Sequence, residues 1–505
     1  MRQVSKEPLR VQQETMVAKP FVTLPLIAGI LIIGSIAALN PAALGAIVVI
    51  LGVVFVGVFL LLHLRTALTF SFFLVMLAET KFRERDPNAL LSGDIDAQVA
   101  FELFLYGIIL LFILMNISSS WLEYHKPTLV ERILFGYVVL AIVSSFWSDD
   151  PRITAVRGMQ LFILYTLCFL AVRVFGSQRV LRILAVTVLF YVLLCSLMAL
   201  SIPWPRTHIG SVGRFSWFSV HPILAASYTG TAITFIIAEA LFAPGSWWRR
   251  IMGLPLWLYI TPLGLILLAT RSRGALIAVV IAAAALSVRK YVNPWVAGFV
   301  GYILLASSTI ALGLGLYSAG AVGGMLNEQH PLIAFVLREQ SAEDFVSVSG
   351  RAELWHSVYA MFLDRPIFGF GYSASRNLLL KVLPWAGHAH GGLAETLLGL
   401  GIVGTALIWF ALGRTLLSSL LHTSRTVDPM AWYQASILGI LLFSLLNSFV
   451  NPSFGGAPGS EVLLFFAAVF AHDGLRGASS RSMQPLEAGQ CPSGVGVDDG
   501  DSVPG

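Results

Sequence analysis

Two histidines one residue apart, His388 and His390, stand at the head of a strongly apolar run, and two arginines, Arg271 and Arg273, share a short turn between two other apolar runs. An imidazole titrates near neutral pH and can take a proton from a hydroxyl, so His390 has the chemistry of a general base. A guanidinium presents a planar fork of donors that matches phosphate oxygens, so two or three converging arginines would clamp a diphosphate without a metal ion. Further arginines fall in comparable places: Arg152 and Arg157 after Trp147-Ser148, Arg206 and Arg214 within 201–220, and Arg351 beside Gly350. Glu395 lies five residues beyond His390, where it can orient the imidazole or sit at the start of a helix. The histidine pair lacks a third ligand nearby and does not read as a metal site. Gly369-Phe370-Gly371 reads as a turn, because no strand precedes it and the third glycine of a dinucleotide fingerprint is missing.

The elements that must position these groups are membrane helices. With 57% hydrophobic and 12% charged residues over 505 positions, the chain cannot fold as a soluble globule. Its mean hydropathy of +0.81 comes from long unbroken runs rather than from the alternation of a barrel. Apolar runs predict spans near 22–39, 42–61, 65–79, 99–116, 129–147, 156–174, 180–201, 221–242, 253–270, 273–288, 294–316, 391–412, 430–449 and 459–472. The expected fold is therefore an all-α polytopic membrane helical bundle of about 12–14 transmembrane helices with one long extracytoplasmic loop. Its expected parts are an N-terminal tail over 1–21, spans with short loops over 22–316, the long loop over 317–390, C-terminal spans over 391–472 and a disordered tail over 473–505.

Lys and Arg in short loops mark the cytoplasmic side. Arg173, Arg179 and Arg182, Arg249 and Arg250, Arg289 and Lys290, Arg414 and Arg425, and Arg476 and Arg481 recur in alternate loops, as the basic N-terminal tail predicts. Both termini are then cytoplasmic, and 147–155, 201–220, 270–274, 317–390 and 451–460 face outside together. Arg157, Arg214, Arg271 and Arg273 thus lie on the side where basic residues are disfavoured, which calls for an anionic partner. One such arginine can snorkel to lipid phosphate, but two in a tight turn are costly unless paired. The first apolar run is too long for a cleaved leader and reads as an anchor. Cys168, Cys195 and Cys491 offer neither a disulfide framework nor a thiolate site, and the net charge of +5 reflects topology rather than nucleic-acid binding.

These residues together resemble the bacterial O-antigen ligase and O-antigen polymerase superfamily, including exopolysaccharide polymerases. The resemblance runs from about Ser211 to Gly404: Arg214 ahead of His221-Pro222, Thr270-x-Ser272-Arg273-Gly274, Gly350-Arg351 with Trp355, Pro366 with Gly369 and Gly371, and His390 before Leu393, Gly401 and Gly404. Trp147-Ser148-x-x-Pro151 fits as well. Gly391 stands where the family usually has Asn or Ser, and His221-Pro222 lacks the usual following Asn. The resemblance implies a metal-independent, inverting glycosyltransferase without cofactor in a bacterial inner membrane. It would move a glycan from undecaprenyl diphosphate to an acceptor hydroxyl on the periplasmic or outer face. His390, Arg273 and Arg214 would then be catalytic, with Arg271, Arg157, Arg351, His388 and Glu395 binding substrate. Membrane lipids, a glycan or lipid-linked acceptor and a chain-length regulator are the implied partners. The acceptor distinguishes polymerase from ligase and is not legible here. The rival class is a flippase or transporter of the same lipid-linked glycan, but such proteins carry ionisable residues near the bilayer midplane, and the middles of these spans are nearly free of them.

Overall fold

The computed structural model describes residues 64–80, 97–117, 127–201, 214–218, 220–243, 250–251, 254–291, 351–383, 386–423, 430–449 and 451–482. Among these the chain forms α1 (Leu64–Ala78), α2 (Ala97–Asn116), α3 (Leu129–Val143), α4 (Pro151–Phe175), α5 (Ser177–Ser201), α6 (Pro222–Phe242), α7 (Trp257–Ala269) and α8 (Arg273–Tyr291). It continues through α9 (Arg351–Asp364), α10 (Ser375–Val382), α11 (Gly392–His422), α12 (Ala431–Asn447) and α13 (Ser460–Ser482). A two-residue antiparallel bridge, β1 (Arg250–Ile251) with β2 (Leu254–Pro255), joins α6 to α7. Seven of the described helices, α2 to α6, α8 and α11, are long and apolar enough to cross a membrane, α3 together with the 3-10 turn that follows it; α1, α7 and α12 are shorter apolar helices. The chain is a polytopic all-α membrane protein.

Apolar runs become helices here because a lipid-exposed backbone must satisfy its own hydrogen bonds, which a helix does within one segment. The ends are set by polar caps. Thr128 and Glu131 form a reciprocal capping box at α3. Asp150 caps α4, His221 caps α6 through its ring nitrogen, and both helices begin on a proline that needs no donor there. Eleven of the expected spans coincide with described helices; 22–39, 42–61 and 294–316, with the N-terminal tail and 483–505, lie outside the described residues. Two spans run on past their expected ends: α11 continues to His422, ten residues past 412, and α13 to Ser482, ten residues past 472. The described part of 317–390 includes α9 and α10.

Helix α6 is the most enclosed, with α5, α7, α8 and α12 around it. Its Gly230 lies against Phe443 of α12 and Val279 of α8, while Gly439 of α12 lies against Thr234 of α6 and Leu286 of α8. Helices α8 and α12 are therefore antiparallel, so Arg273 at the start of α8 shares a face with Ser448 at the end of α12. The Ser448 carbonyl in turn accepts the Gly392 N–H at 2.6 Å, bringing the start of α11 to that face. At the opposite end Arg173 pairs with Glu131 at 2.5 Å, and the buried Arg289 donates to the Thr423 carbonyl.

Candidate active site

A break in α11 fixes the framework of this face. Gly401 has φ 62° and interrupts the helix. The backbone groups released at the break are taken up by the segment after α9: Phe370 N–H donates to Leu398 O at 3.0 Å and Gly371 N–H to Gly399 O at 2.8 Å. On the other side of the break, Ile402 N–H donates to Pro366 O at 2.8 Å and Val403 N–H to Ile367 O at 3.2 Å. A broken helix at membrane depth is tolerated when protein satisfies it in this way. Glycine is required at three points of the joint, Gly369, Gly371 and Gly401, all with positive φ. A side chain on Gly401 would strike the Ile367 carbonyl, and one on Gly371, at φ 108°, would strike Ser148.

The turn after α3 locks onto the other side of the same segment. Tyr372 N–H donates to Ser144 Oγ at 3.0 Å, Thr154 Oγ1 to Tyr372 O at 3.0 Å, and Asp149 N–H to Phe370 O at 3.1 Å. Arg365 pairs with Asp149 at 2.9 Å, and Trp147 meets Phe368 at a tilt, with ring centroids 5.8 Å apart. Burial lifts the Tyr372 phenol well above its usual range, so it remains a neutral group. Trp147-Ser148-x-x-Pro151 and Pro366-x-x-Gly369-x-Gly371, far apart in sequence, are thus two halves of one scaffold.

On this scaffold stands the histidine turn. The rings of His388 and His390 lie with centroids 3.9 Å apart. Between them the Ala389 peptide groups are held from two sides: Ala389 N–H donates to Glu395 Oε1 at 2.6 Å, and Trp355 Nε1 donates to Ala389 O at 3.1 Å. Glu395 is fully buried at the first turn of α11 and acts on the backbone between the histidines. Its observed bond is therefore to the turn, where the sequence left open a direct contact with the imidazole. His390 adopts φ 51°, in the left-handed region that non-glycine residues rarely occupy.

The arginines gather at the start of α8. Arg214 Nε donates to the Thr270 carbonyl at 3.0 Å and Phe215 N–H to Ala269 O at 2.8 Å, so the segment bearing Arg214 is tied to the turn that bears Arg271 and Arg273. Arg271, like His390, has a positive φ, 50°. Among the described residues only Phe218 and Ser373 share this among non-glycines, and such conformations persist where surrounding structure over-determines them, often at active sites. Arg157 lies apart from this group in its contacts. It is engaged by Glu102 at 2.5 Å and by Gln160 at 2.8 Å within the bundle, so charges of this chain already meet its guanidinium. Arg351 opens α9.

Sequence reasoning missed the role of Trp355 as a donor to the histidine turn and missed a buried polar layer below it. In that layer Glu461 accepts from Asn447 at 3.0 Å and Asn451 at 2.6 Å, and Glu79 accepts from Ser460 at 2.5 Å and from Tyr228. The signal was present in Asn447, Asn451 and Glu461 flanking one loop, but their convergence with Glu79 spans the whole chain. No match to this chain is found among curated proteins. The sequence model of the family described as O-antigen ligase matches residues 254–409, a stretch holding Arg271, Arg273, Arg351, Trp355, both halves of the α11 joint, His388, His390 and Glu395. Residues 254–409 thus match the O-antigen ligase family, which supports the resemblance to the O-antigen ligase and polymerase superfamily and a glycosyltransferase-like role in general.

Proposed function

We propose that this protein transfers a glycan from undecaprenyl diphosphate to an acceptor hydroxyl at the outer face of the bacterial inner membrane, as an O-antigen or exopolysaccharide polymerase or ligase. The observation that carries the reading is the bond from Arg214 to Thr270, which joins three arginines at one helix start within a chain that matches this family's model over residues 254–409. The acceptor oxygen attacks the anomeric carbon and gives its proton to His390. The bond from that carbon to the diphosphate oxygen breaks, and the electron pair leaves with undecaprenyl diphosphate. Direct displacement inverts the anomeric centre. Charge grows on the leaving oxygen, and preorganised cationic donors at that point lower such barriers by about 3–4 kcal/mol. Arg214 and Arg273 supply this stabilisation, with Arg271 and Arg351 in support, so that no metal is called on. Arg157, already held by Glu102, has a lesser part. Acceptor contacts fall to His388 and the turn that Glu395 holds.

A mass spectrum of the surface glycan from a strain lacking the protein tests the reading. Loss of long polymer with single repeat units retained identifies a polymerase. Polymer accumulating on undecaprenyl diphosphate identifies a ligase. An unaltered glycan profile would overturn both.

A further inference from the structure

We propose that Trp355 and Glu395 form one clamp on the Ala389 peptide groups and are the positioning residues that aim the His390 imidazole; the proposal rests on the reading of His390 as the base. A peptide unit is planar, so a directional hydrogen bond at one of its polar atoms restrains the tilt of the whole plane. Ala389 N–H belongs to the plane shared with His388, and Glu395 Oε1 holds it at 2.6 Å. Ala389 O belongs to the plane shared with His390, and Trp355 Nε1 holds it at 3.1 Å. Each histidine is therefore hinged to a plane that a different helix fixes: α11 on the His388 side, α9 on the His390 side. Ala389 is fully buried, so water cannot replace either bond.

The conformation of His390 explains why a clamp is needed. At φ 51° an L-residue sits roughly 1–2 kcal/mol above the right-handed alternative and would relax if its flanking plane were released, carrying the imidazole away. The indole donor holds that plane, while α9 itself is anchored independently by Leu354 and Val358 packing on Leu378, Leu379 and Leu398. Deleting the donor should then leave the helix in place.

The experiment uses the full-length enzyme in lipid nanodiscs and compares Trp355→Phe, Glu395→Gln, Glu395→Ala and His390→Ala. Turnover is measured alongside carbethoxylation of each histidine by diethyl pyrocarbonate, read peptide by peptide in a mass spectrometer. Trp355→Phe keeps the ring and removes the N–H, so kcat should fall about five- to tenfold, the equivalent of one hydrogen bond, with donor KM unchanged. The modification rate of His390 should change, while that of His422, exposed at the far end of α11, should stay the same. Glu395→Gln retains an oxygen acceptor, though a weaker one than a carboxylate, and should lose only a few-fold in kcat, whereas Glu395→Ala should lose on the order of a hundredfold through misplacement of the turn. Wild-type kcat and an unchanged His390 modification rate in Trp355→Phe would overturn the clamp. If His390→Ala stays active while Trp355→Phe still alters the modification of His390, the clamp stands and the reading of His390 as base is what fails.

Discussion

Replacing Gly401 by alanine tests whether the break in α11 is the joint that holds the segments around the histidine turn. At φ 62° an alanine costs roughly 1–2 kcal/mol of backbone strain. Its methyl would meet the Ile367 carbonyl, which must retreat and release the bonds from Val403 N–H at 3.2 Å and, with the shift of Pro366, from Ile402 N–H at 2.8 Å. At about 0.6–1 kcal/mol for each hydrogen bond in a membrane protein, the total destabilisation is about 2–4 kcal/mol. Gly413, twelve residues further along the same helix, has open space where a Cβ would go. Gly413→Ala should instead gain up to about 1 kcal/mol from helix propensity, so the two variants bracket the wild type. Thermal unfolding in detergent, followed by fluorescence-detected size exclusion, should show Gly401→Ala melting several degrees below Gly413→Ala. Equal melting of the two would refute the joint, because a break without structural work would tolerate a methyl group as well as a regular turn does.

Arg273→Lys keeps the charge but loses the two-pronged donor geometry, so glycan transfer should drop severely, while Arg179→Lys at an exposed site of the opposite end should leave transfer at the wild-type rate. His390→Ala should lower turnover by roughly 10²- to 10⁴-fold with donor binding retained, and His388→Ala by less; a donor-binding isotherm beside a transfer assay separates the two effects. Purified enzyme should keep its activity in EDTA, and activity that returns only with Mg²⁺ or Mn²⁺ would defeat the arginine clamp. A phosphatase reporter that works only outside the membrane should be active when fused after Asp364 and silent when fused after Thr423; the reverse pattern would turn the whole site toward the cytoplasm.

The sequence by itself determined the class of this protein and most of its helix positions, because a span of about 20 apolar residues is a local property that lipid enforces without reference to the rest of the chain. It also located His388, His390, Arg271 and Arg273 at helix ends, since polar residues beside apolar runs have nowhere else to go. Tertiary structure decided the partnerships. That Arg157 meets Glu102, that Arg214 joins the Thr270 turn, and that Glu395 holds the Ala389 backbone depend on which helices stand side by side. Gly369 and Gly371 could be read as a turn, yet only packing shows that Gly369 and Gly401 fit together, with carbonyls of one segment seated where the other lacks a side chain, and that Ser148 fills the space beside Gly371. The positive φ of His390 and Arg271 carries no sequence mark at all, because a non-glycine residue enters that region only when contacts made elsewhere in the fold hold it there.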